Sequence, residues 1–211
     1  MSGRAGALSR RACLGAAAGL PLLGVPSLSR AGAQVEEPLA DSVRSVLSAA
    51  VAEQAPPRPT FAGIEDRLSY LRWLGAMSDR LKPRKAEART RVEFLEAVWY
   101  ESRRAGLETA LVLGLVQVES GFRKYAISSA GARGYMQVMP FWARLIGDGD
   151  PSRLFHMQTN LRFGCVILRH YLDRERGDLF LALGRYNGSR GRAEYPDLVF
   201  GARRRWELPP A

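Results

Sequence analysis

The chain has 211 residues, 46% hydrophobic and 25% charged, proportions that fit one ordinary globular domain with an extension and exclude a disordered or fibrous protein. Its formal charge of +10 is carried almost wholly by arginine, since the only lysines are Lys82, Lys85 and Lys124. A basic surface attracts nucleic acid, anionic membrane or any acidic polymer, and charge alone does not choose among them.

Residues 1 to 33, "MSGRAGALSRRACLGAAAGLPLLGVPSLSRAGA", place arginines first, then an uncharged run from Ala12 to Leu28, then Ala31-Gly32-Ala33. This is the layout of a secretory signal peptide cleaved before Gln34. The alternative is an uncleaved anchor, but Gly15, Gly19, Gly24, Pro21 and Pro26 make the run a poor spanning helix. "SRRACLG" resembles the twin-arginine export signature, with Cys13 and Gly15 departing from it, so the route is open between that pathway and the general one. Cleavage removes four arginines and lowers the charge to +6, which makes nucleic acid an unexpected partner. It also removes Cys13 and leaves only Cys165, which apolar neighbours mark as a buried core residue and which has no disulfide partner.

In chain order, "LADSVRSVLSAAVAEQ" (39 to 54) has helical spacing and ends at the breaker "APPRPT" (55 to 60). A second helix runs from Ile64 through Leu68, Leu71, Leu74 and Met77 to Leu81, and a third from about Ala86 to Arg104. The fourth, "ETALVLGLVQVES" (108 to 120), is apolar on nearly every side and should be central to the core. "AISSAGARGYMQVMP" (126 to 140) has no amphipathic period and reads as a loop laid over that helix. A short helix in "FWARLIGDG" (141 to 149), a long one opening at Thr159 or Asn160, and a final one from Leu179 to about Tyr186 complete the reading. No alternating β pattern appears, so the fold is expected to be all-α. The expected organisation is a signal peptide (1–33), a helical extension and linker (34–88) and a main domain (89–211).

One residue in this layout poses a chemical question. Glu119 brings a carboxyl group to the end of an apolar helix, in "LVQVESGF", where a negative charge opposes the helix dipole. Either it is an exposed C-terminal residue without a role, or it is desolvated, with a raised pKa that lets it hold and donate a proton near neutral pH. Spacing alone leaves both readings open.

"VESGF", "SSAGARGYMQVMP" and "RYNGS" together resemble, in order and spacing, the signature of the bacterial lytic transglycosylases of the soluble-transglycosylase (SLT) type, relatives of goose-type lysozyme. The likeness runs from about Arg89 to Trp206. It implies a lysozyme-like all-α domain in which Glu119 is the single catalytic acid and base. It further implies that Ser120, Ser128, Met136, Gln137, Met139, Tyr186 and Asn187 bind substrate, with Tyr186 hydrogen-bonding at or near the acid. Arg185, where many relatives have alanine, departs from the pattern at its flank. Taken singly, each of these residues has a plainer reading as a cap, core filler or surface group.

Most glycosidases pair an acid with a second carboxylate, about 5 Å away for retention or about 6.5–9.5 Å for inversion. Here the nearest downstream acids, Asp148 and Asp150 in "GDGDPS", look like turn residues. The resemblance therefore implies a reaction on peptidoglycan in which the N-acetyl group and 6-hydroxyl of N-acetylmuramic acid do the remaining work and leave a 1,6-anhydro end. Two alternatives stay open: a lysozyme-type hydrolase, with Asp148 or Asp150 placing a water, and a non-catalytic wall-binding or assembly protein. His156 and His170 have no neighbouring ligands, so no metal or cofactor is expected. The expected partner is the peptidoglycan glycan strand, in the periplasm or cell envelope, and the charge permits peripheral association with the envelope.

Overall fold

The structure, a computed structural model, describes residues 34, 36–52 and 59–208, so the expected signal peptide and most of the 55–60 breaker lie outside the described residues. Among the described residues there are eight α-helices and no strand: α1 (Asp41–Ala52), α2 (Ile64–Leu81), α3 (Ala88–Arg104), α4 (Thr109–Ser120), α5 (Pro140–Ile146), α6 (Met157–Arg174), α7 (Leu179–Asn187) and α8 (Glu194–Arg203). A 3₁₀ turn, Pro151–Phe155, precedes α6. The all-α expectation holds.

Helix α4 is buried on all sides, from Ala110 through Val116 and again at Glu119 and Ser120, as a helix without a polar face must be. Around it pack Phe94 and Val98 of α3, Leu161, Cys165 and Leu168 of α6, Leu183 of α7 and Val199 of α8. Helices α1 and α2 join the same core through Leu47, Met77 and Leu81. On α2 the periodic face is buried in its second half, at Met77 and Leu81 with Leu74 partly buried, whereas Ile64, Leu68 and Leu71 are exposed and Tyr70, off the pattern, is inside. The aromatic rings decide this, because Tyr70 packs between Phe61, Trp73 and Trp99 at centroid distances of 4.9 to 6.0 Å. A buried ion cluster joins α3 to α6: Glu101, 1% exposed, receives Arg162 Nε and Nη2 on Oε1 at 3.0 and 2.9 Å, and Arg104 on Oε2 at 3.3 Å.

One helix starts earlier than expected and one element was missed. Helix α6 opens at Met157, ahead of Thr159, with His156 at its N-cap position. The last helix is α8, not α7. Pro196 sits in its first turn, where a missing N–H is harmless, so a residue that reads as a breaker is instead part of a helix start.

Helices α4 and α8 cross with backbones in contact. A Cβ on Gly114 would lie 2.6 Å from Arg203 N and 2.8 Å from Arg203 Cα. Only glycine allows that approach, and the crossing carries α8 across the end of α4 that bears Glu119. Gly114→Ala is expected to push α8 away and lower the unfolding free energy by about 1–3 kcal/mol, read as a reduced urea midpoint.

Candidate active site

Glu119 ends α4 one residue before the helix stops. Gly121 takes the left-handed conformation (φ 57°) and closes the helix with its N–H on Gln117 O, and Phe122 follows with φ 68°. A phenylalanine in that region is strained, and burial against Phe94 and Trp206, at 5.8 and 5.1 Å, holds it there. The turn directs the chain sharply away from α4, leaving the last turn of the helix covered by the loop that follows.

That loop folds on itself through Gly134 N to Ala126 O (2.9 Å), Ser128 N to Ala132 O (3.1 Å) and a reciprocal pair between Arg133 and Val138. Its anchor is Asn160, fully buried on α6. Asn160 Oδ1 accepts from Met136 N at 2.7 Å, while its Nδ2 donates to Arg133 O and Leu154 O at 2.8 Å each. The fit is tight enough that Gly134 (φ 75°) could carry no Cβ, which would lie 2.4 Å from Asn160 Nδ2.

Glu119 is 6% exposed. Its Oε1 accepts a short hydrogen bond from the Tyr195 hydroxyl of α8, and its Oε2 is buried with no hydrogen-bond partner among the described residues. Burial pushes the carboxyl up to about 8, and the Tyr195 hydrogen bond pulls the other way. Burial also raises the Tyr195 and Tyr186 phenols well above their ordinary value, and the Glu119 charge adds to the rise in both. The groups shifting Glu119 include no second carboxylate. Asp148 and Asp150 are exposed turn residues: Asp148 accepts from Asp150 N and pairs with Arg153, and Asp150 caps Ser152 at N and Oγ.

The other expected residues take mixed roles, most of them bonding within the loop or tying it to the helices. Ser120 is buried and donates inward to Val116 O (3.1 Å) and Tyr135 O (2.7 Å), tying α4 to the loop. Ser128 Oγ accepts from Ala132 N within its own turn. The Met136 side chain is fully buried against Gly164. Gln137, at φ 50°, donates to Ala126 O and Gly134 O, and Met139 is partly buried at the start of α5. The Tyr186 hydroxyl donates to Met136 O at 2.8 Å, while the tyrosine bonded to the acid is Tyr195. Asn187 Nδ2 reaches Ser189 Oγ, and its Oδ1 is buried without a partner. Glu119 Oε2 and Asn187 Oδ1 are both buried without a hydrogen-bond partner among the described residues.

Sequence reasoning missed Tyr195 and Asn160. Tyr195 sits in "RAEYPD", too short and proline-marked to show a period, and Asn160 reads as a helix cap. A signal for Asn160 exists: a small amide among apolar neighbours at the start of a buried helix needs internal partners.

A model of the transglycosylase SLT domain matches residues 96–203, just over half of the chain. Membrane-bound lytic murein transglycosylase C of Actinobacillus pleuropneumoniae serotype 5b (strain L20) is 39% identical over 90 residues, covering 39% of this chain and 24% of that protein. The protein of the same name from Mannheimia succiniciproducens is 39% identical over 110 residues, covering 48% and 30%. The chain therefore matches less than a third of the length of these relatives. Among solved structures, an inactive mutant of lytic transglycosylase Slt from Pseudomonas aeruginosa aligns with a TM-score of 0.43 at 21% identity, over 66% of this chain and 27% of that one. With the family model spanning α4, the loop and the helices that carry Tyr186 and Tyr195, this chain belongs to the transglycosylase SLT domain family.

Proposed function

We propose that the protein is a peptidoglycan lytic transglycosylase, breaking the β-1,4 bond between N-acetylmuramic acid and N-acetylglucosamine without water. The observation that carries this reading is the lone buried carboxyl of Glu119, held at Oε1 by Tyr195 and unpartnered at Oε2. The relatives' printed activity, lytic murein transglycosylase, supports it.

Burial keeps Glu119 protonated near neutral pH, so Oε2–H is the acid that protonates the glycosidic oxygen as the C1–O bond breaks. The positive charge developing at C1 is met by the sugar's own N-acetyl oxygen. Tyr195 donates to the carboxylate formed, and Glu119 then takes the proton from the 6-hydroxyl as O6 bonds to C1. Attack from within one sugar gives a high effective molarity and replaces an activated water. Against hydrolysis stand Asp148 and Asp150, both engaged in their turn and neither acting on Glu119.

The transglycosylase domain is residues 89–211, with 34–88 as a helical extension laid on its core. Export to the periplasm or cell envelope, with cleavage before Gln34, is read from the three-part layout of residues 1–33. Gln34 is buried with Oε1 on Trp142 Nε1 at 2.7 Å, and Glu37 pairs with Arg174 and Arg185.

Purified protein acting on cell-wall sacculi is expected to release fragments with 1,6-anhydromuramoyl ends by mass spectrometry, and Glu119→Gln to lower their rate of formation by about 10²–10⁴-fold. Reducing muramic ends would establish the hydrolase instead, and equal activity in Glu119→Gln would remove the acid assignment. Tyr195→Phe deletes the bond that lowers the Glu119 pKa. The limb of the pH–rate profile that falls as Glu119 ionises, near 8, is expected to move to higher pH with a reduced maximal rate.

Stability gives an independent reading. The folded pKa of Glu119 lies above its unfolded value of 4.5, so the folded state holds the proton more tightly. Stability falls as pH rises from about 4.5 to about 8, and levels off above. Glu119→Gln lacks this loss, so its advantage in urea midpoint over the wild type is expected to grow across that window to the order of a few kcal/mol.

A further inference from the structure

Between Glu119 and the folded part of its loop, the chain carries Lys124 and Tyr125 into solvent. Tyr125 is 70% exposed and Ile127, two residues on, is 65% exposed. The Tyr125 ring lies 6.0 Å from the Phe155 ring, Lys124 Nζ stands 5.1 Å from the Tyr125 centroid, and Arg133 Cζ stands 5.5 Å from that of Phe155. The four side chains form one strip, cation–ring–ring–cation, along the surface of the site loop. Beyond Lys124 the positive charge continues to Lys85, whose Nζ donates to Tyr135 OH at 2.8 Å. Burial, and then the charge of Lys124, hold the Lys85 ammonium below its ordinary value.

Several surface arginines meet carboxylates, as at Arg89–Glu93, Arg190–Glu175 and Arg203–Glu207, whereas others, such as Arg84 and Arg103, lie over single rings, Phe122 and Trp99. Neither Lys124 nor Arg133 has an ion-pair partner among the described residues, and each lies over an aromatic face instead. Single exposed apolar groups are ordinary, but two packed rings and an isoleucine flanked by two unpaired cations form a surface that water satisfies poorly. A pyranose ring suits an exposed tyrosine, because its axial C–H bonds carry the partial positive charge that the ring face attracts. Cations on both sides add a demand that a neutral glycan does not meet: the ligand must bring carboxylates.

We propose that Lys124, Tyr125, Phe155 and Arg133 form a muropeptide subsite, in which Tyr125 takes a sugar face and the two cations take carboxylates of the attached peptide stem. The protein then selects glycan strands that still carry stems over strands from which they have been removed. This rests on the peptidoglycan reading above and narrows its substrate. The strip is fixed relative to the acid because Asn160 holds Arg133 O and Leu154 O, next to Phe155, on one side chain.

The test uses the full mature chain with Glu119→Gln, so that binding is read without turnover. Calorimetric titration compares a soluble disaccharide–tetrapeptide oligomer with the same oligomer after amidase removal of its stems. Tighter binding of the stem-bearing ligand is expected, by about tenfold, the size of one or two exposed charge-assisted contacts. Combining Lys124→Gln with Arg133→Gln should bring the ratio of the two affinities close to one, while Tyr125→Ala should weaken both ligands. A ratio near one in the unsubstituted protein overturns the proposal, as does a ratio that survives loss of both cations. Equal weakening of both ligands by the cation pair also overturns it, showing that the charges act on the glycan and not on stems. Failure of the peptidoglycan reading is seen separately, as absence of binding to either ligand together with absence of anhydro ends from the protein with Glu119 intact.

Discussion

A carboxyl group at the end of a buried helix is the constraint from which the rest of the site follows. At the C-terminus of α4 the helix dipole and the low dielectric both disfavour a carboxylate, and nothing in the local sequence compensates. Tolerating Glu119 there requires an element delivered from far along the chain, and α8 is that element. Its first turn brings Tyr195 to Oε1, while its last turn touches Gly114, about one and a half helical turns up α4 from Glu119. One crossing therefore sets the acid's depth, its partner and which of its two oxygens stays free.

The loop opposite uses a different economy of bonding. Among the described residues it contains no strand, only isolated bridges, yet its centre is held as firmly as a sheet would hold it. Met136 is the node: its N–H goes to Asn160, its carbonyl receives Tyr186, and its side chain fills the space above Gly164. Two helices, α6 and α7, and the loop meet at this one residue. Of the three described non-glycine residues with left-handed φ, Phe122 and Gln137 lie at either end of this loop, and each is kept there by burial or by hydrogen bonds.

Much of this was legible in the sequence, and the gaps have physical causes. The apolar run of α4 and the spacing of α2 and α3 are local patterns, and these helices formed where the patterns lie. The motif residues were legible as a set, but their duties were not. Which oxygen Ser120 or Tyr186 addresses depends on residues 15 and 50 positions away. Tyr195 could not be found, because its partner lies 76 residues upstream and its own helix is short and begins with a proline in the first turn. On α2 the periodic face held at Met77 and Leu81 but not at Ile64, Leu68 and Leu71, because periodicity counts apolar positions equally, whereas packing favours the side chains with the largest area, here Tyr70 and its aromatic neighbours.

The Asn160 clamp has a consequence for how such a molecule can vary. It grips backbone atoms alone: one N–H and two carbonyls that every sequence supplies. The exposed side chains of the loop, such as Lys124, Tyr125 and Ile127, are therefore uncoupled from its shape, whereas Ser128, which holds Ala132 N, and Gly134, which has no room for a Cβ, are not. On the function proposed above, ligand preference and acid–base chemistry are then separately heritable traits, the one written in solvent-facing letters and the other locked behind an amide that reads none of them.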